Sequence, residues 1–113
     1  MISRRLHQLS RYWKKKLGQQ DWDITISFTN VEDMHQSDNV GECTVQLCDK
    51  SSVIKILRDD ATDHEIEWRI VHEYLHIVFC DLVPRDKTKE KLFEAGIDRI
   101  ARTLLSYKYG RNL

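Results

Sequence analysis

The sequence predicts a small α+β protein with its elements in the order α, β, β, β, α, α. Three observations predict it. Apolar residues at helical spacing run from Ile2 to Leu17, alternating runs fill the stretch from Trp22 to Leu57, and helical periodicity returns near residue 64, divided by the only proline, Pro84. With 113 residues, 41% of them hydrophobic, the chain can build one core and is too short for two ordinary domains, so residues 1–113 read as a single domain.

Ile2, Leu6, Leu9, Trp13 and Leu17 line one face of the first helix, which stops at Gly18, a residue able to take the left-handed turn after a helix. The other faces carry Arg4, Arg5, Arg11, Lys14, Lys15 and Lys16, with no acid before Asp21. Organelle transit peptides start in the same way, but the apolar stripe suits a core, and the basic side reads as a solvated face. Trp22, Ile24, Ile26 and Phe28 alternate with Asp23, Thr25 and Ser27, as in a half-buried strand. Val31 to Asn39 is polar and mixed and reads as a loop.

Gly41 opens a second strand, with Cys43, Val45 and Leu47 on one side and Thr44, Gln46 and Cys48 on the other. A turn over Asp49 to Ser51 makes a hairpin with a third strand at Val53, Ile54, Ile56 and Leu57. Three strands in succession predict a three-stranded, mainly antiparallel sheet. Thr62 and Glu65 have the spacing of a capping box and open a helix from about His64 to about Asp81, apolar almost all round in its second half. Pro84 ends it. Asp86 or Thr88 then caps a last helix, with Phe93, Ile97, Ile100 and Leu104 at helical spacing.

Lys and Arg number 18 and Asp and Glu also 18, a balance that argues against a protein built to neutralise nucleic-acid phosphates. No apolar run approaches the roughly 18 residues of a membrane span, and the first residues lack the apolar stretch of a secretory signal. A cytoplasmic protein without a membrane partner is expected. Cys43, Cys48 and Cys80 are odd in number and without C-x-x-C spacing, so they build neither a disulfide framework nor an all-cysteine zinc site.

The chemistry concentrates in His72, Glu73 and His76, which spell H-E-Y-L-H in the most apolar part of the chain. Residues four apart on a helix differ in direction by only about 40°, so both imidazoles can grip one Zn2+ at about 2.0 to 2.1 Å. Glu73 then lies beside the ion, placed to take a proton from a metal-bound water and return it to a leaving amine. The bare string recurs in helices that bind no metal. Here Val71, Leu75, Ile77, Val78 and Phe79 surround it, and two histidines with a carboxylate in a buried stripe need a common partner.

A catalytic zinc usually takes three protein ligands and a water. No histidine follows His76, and Phe79 and Leu82 stand where the metzincin continuation has Gly and His, so the third ligand is a carboxylate or lies upstream. On the last helix, with Phe93 set at zero, Ala101, Glu94, Leu105 and Asp98 fall at about 80°, 100°, 120° and 140°. Glu94 and Asp98 therefore share a face with residues suited to a core, where purely solvating acids do not belong. Glu90, one turn before Glu94, makes a competing pair with it.

His72, Glu73 and His76, followed by Glu94-Ala-Gly-Ile-Asp98, resemble the gluzincin zinc metallopeptidases, in which H-E-x-x-H is joined by E-x-x-x-D on a separate helix. From about Leu17 to Leu105, including Leu-Gly-x-x-Asp-Trp-x-Ile before the first strand, the chain is similar to the small stand-alone members, the minigluzincins and the HExxH metallopeptidases encoded by phages and prophages. The resemblance implies a zincin-like fold with an active-site helix and a C-terminal helix. It implies Glu94 as third zinc ligand and Asp98 as the acceptor that orients a ligand histidine, most naturally His72. A peptide or protein substrate would lie extended and antiparallel to an edge strand beside the active-site helix, with Glu73 shuttling the proton.

Larger gluzincins have a second lobe that donates a His or Tyr to the oxyanion, and this chain is too short for one. His64, Tyr107 and Tyr109 are conceivable substitutes without positional support. A second reading is therefore a non-catalytic or latent module of the same fold, with the tail from Tyr107 to Leu113 or a second copy covering the cleft. A third takes the basic first helix with Tyr12 and Trp13 as a nucleic-acid surface, against which the acids elsewhere speak. Cys80 reads as a core cysteine rather than a fourth ligand, and His7 and His35 as exposed.

Overall fold

A computed structural model describes residues 1–34 and 40–110; among these lie three α-helices, three strands and one 3-10 turn. The first helix, α1 (Ser3–Lys16), buries Leu6, Leu9, Ser10 and Trp13. Ile2 departs from the expected stripe: it precedes the helix in an extended conformation and is 67% exposed. Gly18 closes the helix at φ +68°, where the Gln19 N–H reaches the Lys14 carbonyl at 2.8 Å and the Gly18 N–H reaches that of Lys15 at 3.2 Å. These two bonds satisfy carbonyls that the helix leaves open.

Strands β1 (Asp23–Thr29), β2 (Gly41–Gln46) and β3 (Ser51–Leu57) form one sheet in the order β1-β3-β2. The hairpin between β2 and β3 is antiparallel, as expected, but β1 runs parallel to β3. The sheet is thus mixed, which corrects the mainly antiparallel expectation. The physical reason lies in β3, the most apolar strand, with Ile54 and Ile56 fully buried: it takes the centre, and β1 and β2 flank it as edges. Leu47 and Cys48, expected on the second strand, belong to the turn and are exposed. Val31–Asp33 forms the 3-10 turn, while the rest of the expected loop, including His35, lies outside the described residues.

One sheet face packs on the helices. Ile26 of β1, Ile54 of β3 and Cys43 of β2 stand in one row on it, and Phe28, Ile56 and Gly41 in the next. Helix α2 (Asp63–Val78) starts where the Thr62 side chain accepts the Glu65 N–H at 3.2 Å and ends about a turn short of Asp81. Its Ile66, Ile70, Val71, Tyr74, Leu75 and Ile77 form the centre of the core. Helix α3 (Lys87–Tyr109) is capped by Asp86, whose carboxylate accepts the Thr88 and Lys89 N–H groups at 2.8 and 3.1 Å. Its buried face is Ile97, Ala101 and Leu105, whereas Ile100 is 39% exposed, so the helix is rotated from the expected Phe93-Ile97-Ile100-Leu104 stripe. That rotation turns Glu94 and Asp98 toward α2. Among the described residues no helix is long and apolar enough to cross a membrane.

Candidate metal centre

Helices α2 and α3 lie antiparallel and meet through side chains four residues apart on each, one helical turn per rung. His76 meets Glu94, His72 meets Glu94 and Asp98, and Trp68 meets Arg102. The four-residue spacing noted in the sequence on each helix is thus the spacing of one shared seam.

At its centre, His72 Nε2 and His76 Nε2 stand 3.3 Å apart. One Glu94 oxygen is 3.3 Å from the first and the other 3.2 Å from the second. On the far side of the ring, His72 Nδ1 is 2.7 Å from Asp98 Oδ1. That contact is close but off the line of a hydrogen bond, and neither buried atom has a hydrogen bond elsewhere. Burial lowers the His76 pKa and outweighs the Glu94 carboxylate, which favours the charged ring, so His76 is a neutral donor near pH 7.

Ligand atoms of His72, Glu73 and His76 lie within 4.8 Å of one another, and this group can hold a metal ion. The donors also suit a small cation. Two atoms each about 2.0 to 2.1 Å from one tetrahedral centre stand about 3.3 Å apart. The two imidazole nitrogens stand 3.3 Å apart, and each meets a different Glu94 oxygen, at 3.3 Å for His72 and 3.2 Å for His76. Neutral imidazole with carboxylate is a donor set for zinc rather than for calcium or magnesium.

Glu73 is 6% exposed, and the sheet register explains how a carboxylate fits there. Gly41, Cys43 and Val45 alternate on the face of β2 toward α2, and Gly41, lacking a side chain, leaves the space that Glu73 fills. A Cβ at Gly41 would stand 3.0 Å from Glu73 Oε2. Burial first, then the charges of Glu94 and Glu42, push the Glu73 pKa up to about 8. Cys43 adjoins the same space; burial outweighs its contact with Ser52 and pushes the thiol up to about 12.

The histidines open on a cleft of about 610 Å3 between α2, α3 and β2. Residues 40–44 form one wall, and β2, which among the described residues pairs with β3, stands at the edge of the sheet there. Of the competing acids on α3, Glu90 lines the cleft, whereas Glu94 touches both imidazoles. His64 and Tyr109 contact each other through their rings away from the cleft, and Tyr107 is 90% exposed. The described end of the chain therefore does not cover the cleft; residues 111–113 of the expected blocking tail lie outside the described residues. Cys80 is half-buried, and His7 is exposed with its Nδ1 on the Ser3 carbonyl.

Glu67 and Arg102 went unnoticed in the sequence, where Gly41 reads only as the start of a strand and Trp68 only as part of a helix. Glu67 had a readable signal, because it interrupts the buried side of α2 as Glu94 and Asp98 interrupt that of α3. It is 2% exposed and accepts bonds from Trp13 of α1 and from Lys108 and Tyr109 of α3. No model of a known protein family matches the chain, and no curated protein or solved structure does so either. The fold and site define a small α+β protein with a His-Glu-His group on one helix that can hold a metal ion.

Proposed function

We propose that the chain is a zinc-dependent peptidase of the gluzincin type, in which His72, His76 and Glu94 hold the metal, Asp98 orients His72 and Glu73 carries the proton. The observation that carries this reading is the Glu94 carboxylate, which reaches both imidazoles from the neighbouring helix while Asp98 stands at the opposite nitrogen of His72. A chance H-E-x-x-H gives no reason for a second helix to supply a ligand and an orienting acid one turn apart.

When bound, zinc supplies Lewis acidity, polarising a scissile carbonyl and lowering the pKa of water. The protein supplies the rest. Glu73 accepts a proton in the cleft and returns it to the leaving nitrogen; its raised pKa makes the carboxyl basic enough for that exchange, and a cation nearby would draw it back toward neutrality. β2, an edge strand of the described sheet, walls the cleft, which favours an extended peptide over a compact small molecule.

One observation favours a second reading, a metal-holding module that cleaves nothing: among the described residues no tyrosine lines the cleft to steady an oxyanion. The two separate cleanly. The peptidase reading expects one zinc per chain, lost in His72→Ala, and hydrolysis of an unfolded protein that disappears in Glu73→Gln while zinc is retained. Zinc at one equivalent with no hydrolysis would leave the binding module standing; no zinc at all would sink both.

A further inference from the structure

Beyond the metal centre the seam between α2 and α3 continues for one more rung, and a second cavity of about 330 Å3 opens there. It shares Val40, Trp68 and Arg69 with the cleft, so the two are neighbouring parts of one groove. We propose that this cavity receives a carboxylate of the bound peptide, so that the protein selects substrates with an acidic side chain or a free C-terminus one or two residues from the bond cleaved. The proposal rests on the peptidase reading above and names its substrate class.

The chemistry of the lining points to an acceptor-only group. Arg102 lies with its guanidinium carbon 5.1 Å from the centre of the Trp68 ring, a contact that orients the guanidinium without using its N–H donors. None of the ion pairs among the described residues engages Arg102. Trp68 Nε1 has no hydrogen-bond partner but is buried beneath the cavity surface, so Trp68 presents its ring to the cavity and the donors there are those of Arg102. His64 adds a further ring donor.

The second guanidinium in the wall, Arg69, differs. It is buried, holds Asp59 through two bonds of 2.9 and 3.1 Å and touches the Leu57 carbonyl at 3.3 Å, so it is occupied within the protein. Leu105, 1% exposed, closes the floor with apolar surface. A carboxylate has no hydrogens to leave unpaired and matches the fork of a guanidinium, whereas an amide would bring donors to a site that already has them. Glu65 opposes this charge, but it is exposed, in the first turn of α2.

The reach follows from helix geometry. Trp68 is one turn from His72, about 6 Å along the axis, and an extended peptide advances about 3.3 Å per residue. The group in the cavity therefore belongs to a residue one or two positions from the reacting bond.

The test uses the full chain as zinc-loaded Glu73→Gln protein, so that binding is read apart from turnover. Three matched pentapeptides are titrated by calorimetry: one with an internal Glu and an amidated end, its Gln counterpart, and the Gln peptide with a free C-terminal carboxylate. Expected is about tenfold or tighter binding of one carboxylate peptide over the amidated Gln peptide, with a shift of the Trp68 indole N–H resonance. The peptide that binds tighter identifies side chain or C-terminus as the source. The preference should vanish in Arg102→Gln, an exposed position, and grow in Glu65→Gln. Equal affinities, a preference that survives Arg102→Gln, or no measurable binding of any peptide would overturn the proposal. Hydrolysis by the wild type without such a preference would sink this inference alone, whereas a preference without hydrolysis would sink the peptidase reading and leave the cavity as a carboxylate site.

Discussion

Glu73 shows how little room a proposed proton carrier has. Its carboxylate is held against the backbone of β2 because Gly41 has no side chain, and nothing in the chain near Gly41 announces that contact, which joins positions 32 apart. The histidine pair and the acids of α3 were legible because their spacing is local to a helix; the partner of Glu73 was hidden because it depends on strand register. In Gly41→Ala the new methyl would meet Glu73 Oε2 at 3.0 Å and Cγ and Cδ at 3.3 Å. A carboxylate that is 6% exposed has few ways to yield, so it shifts by a few tenths of an ångström. Displacement of a reacting group on that scale should lower kcat by about tenfold, while zinc affinity stays as in the wild type. Unchanged kcat would show that the position of Glu73 does not govern the reaction.

At the level of elements, the seam depends on how α3 is set against α2, and Glu67 fixes that setting at the end remote from Glu94. It gathers Trp13 Nε1 at 2.7 Å, the Lys108 ammonium and the Tyr109 hydroxyl, so α1, α2 and α3 meet on one carboxylate. Burial pushes the Glu67 pKa up, but the bonds from Lys108, Tyr109 and Trp13 outweigh it and hold the carboxyl below its ordinary 4.5. A depressed carboxyl pKa gives stability that is complete above the unfolded value and is lost as pH falls through the folded one. Glu67→Gln should therefore cost about 3 kcal/mol at pH 7, and the gap in melting temperature between it and the wild type should narrow below about pH 4.5. A gap that is constant from pH 7 to 3 would mean that Glu67 acts by shape and not by charge. Strand order, by contrast, was out of reach of local pattern: alternation reveals that β1, β2 and β3 are strands, but the preference of the most apolar one for the centre is a property of the whole sheet.

For the whole molecule, the metal would join two helices that otherwise meet mainly at their packed faces, so its binding should appear as folding stability. A ligand at about one hundred times its Kd adds about 2.7 kcal/mol, which for a chain of this size raises Tm by roughly 10 °C. The same measurement decides which carboxylate completes the site. His72, Glu73 and His76 are close enough to bind an ion by themselves, yet Glu94 is the acid that touches both imidazoles. If Glu94 is the ligand, Glu94→Gln and His72→Ala should each lose the zinc-dependent rise, whereas Glu73→Gln should keep it. If Glu73→Gln loses the rise and Glu94→Gln keeps it, the metal belongs to α2 alone. The link between the helices would then be absent, and the carboxylate that the gluzincin reading needs as proton carrier would be a ligand instead, leaving a metal-binding fold without its catalytic base.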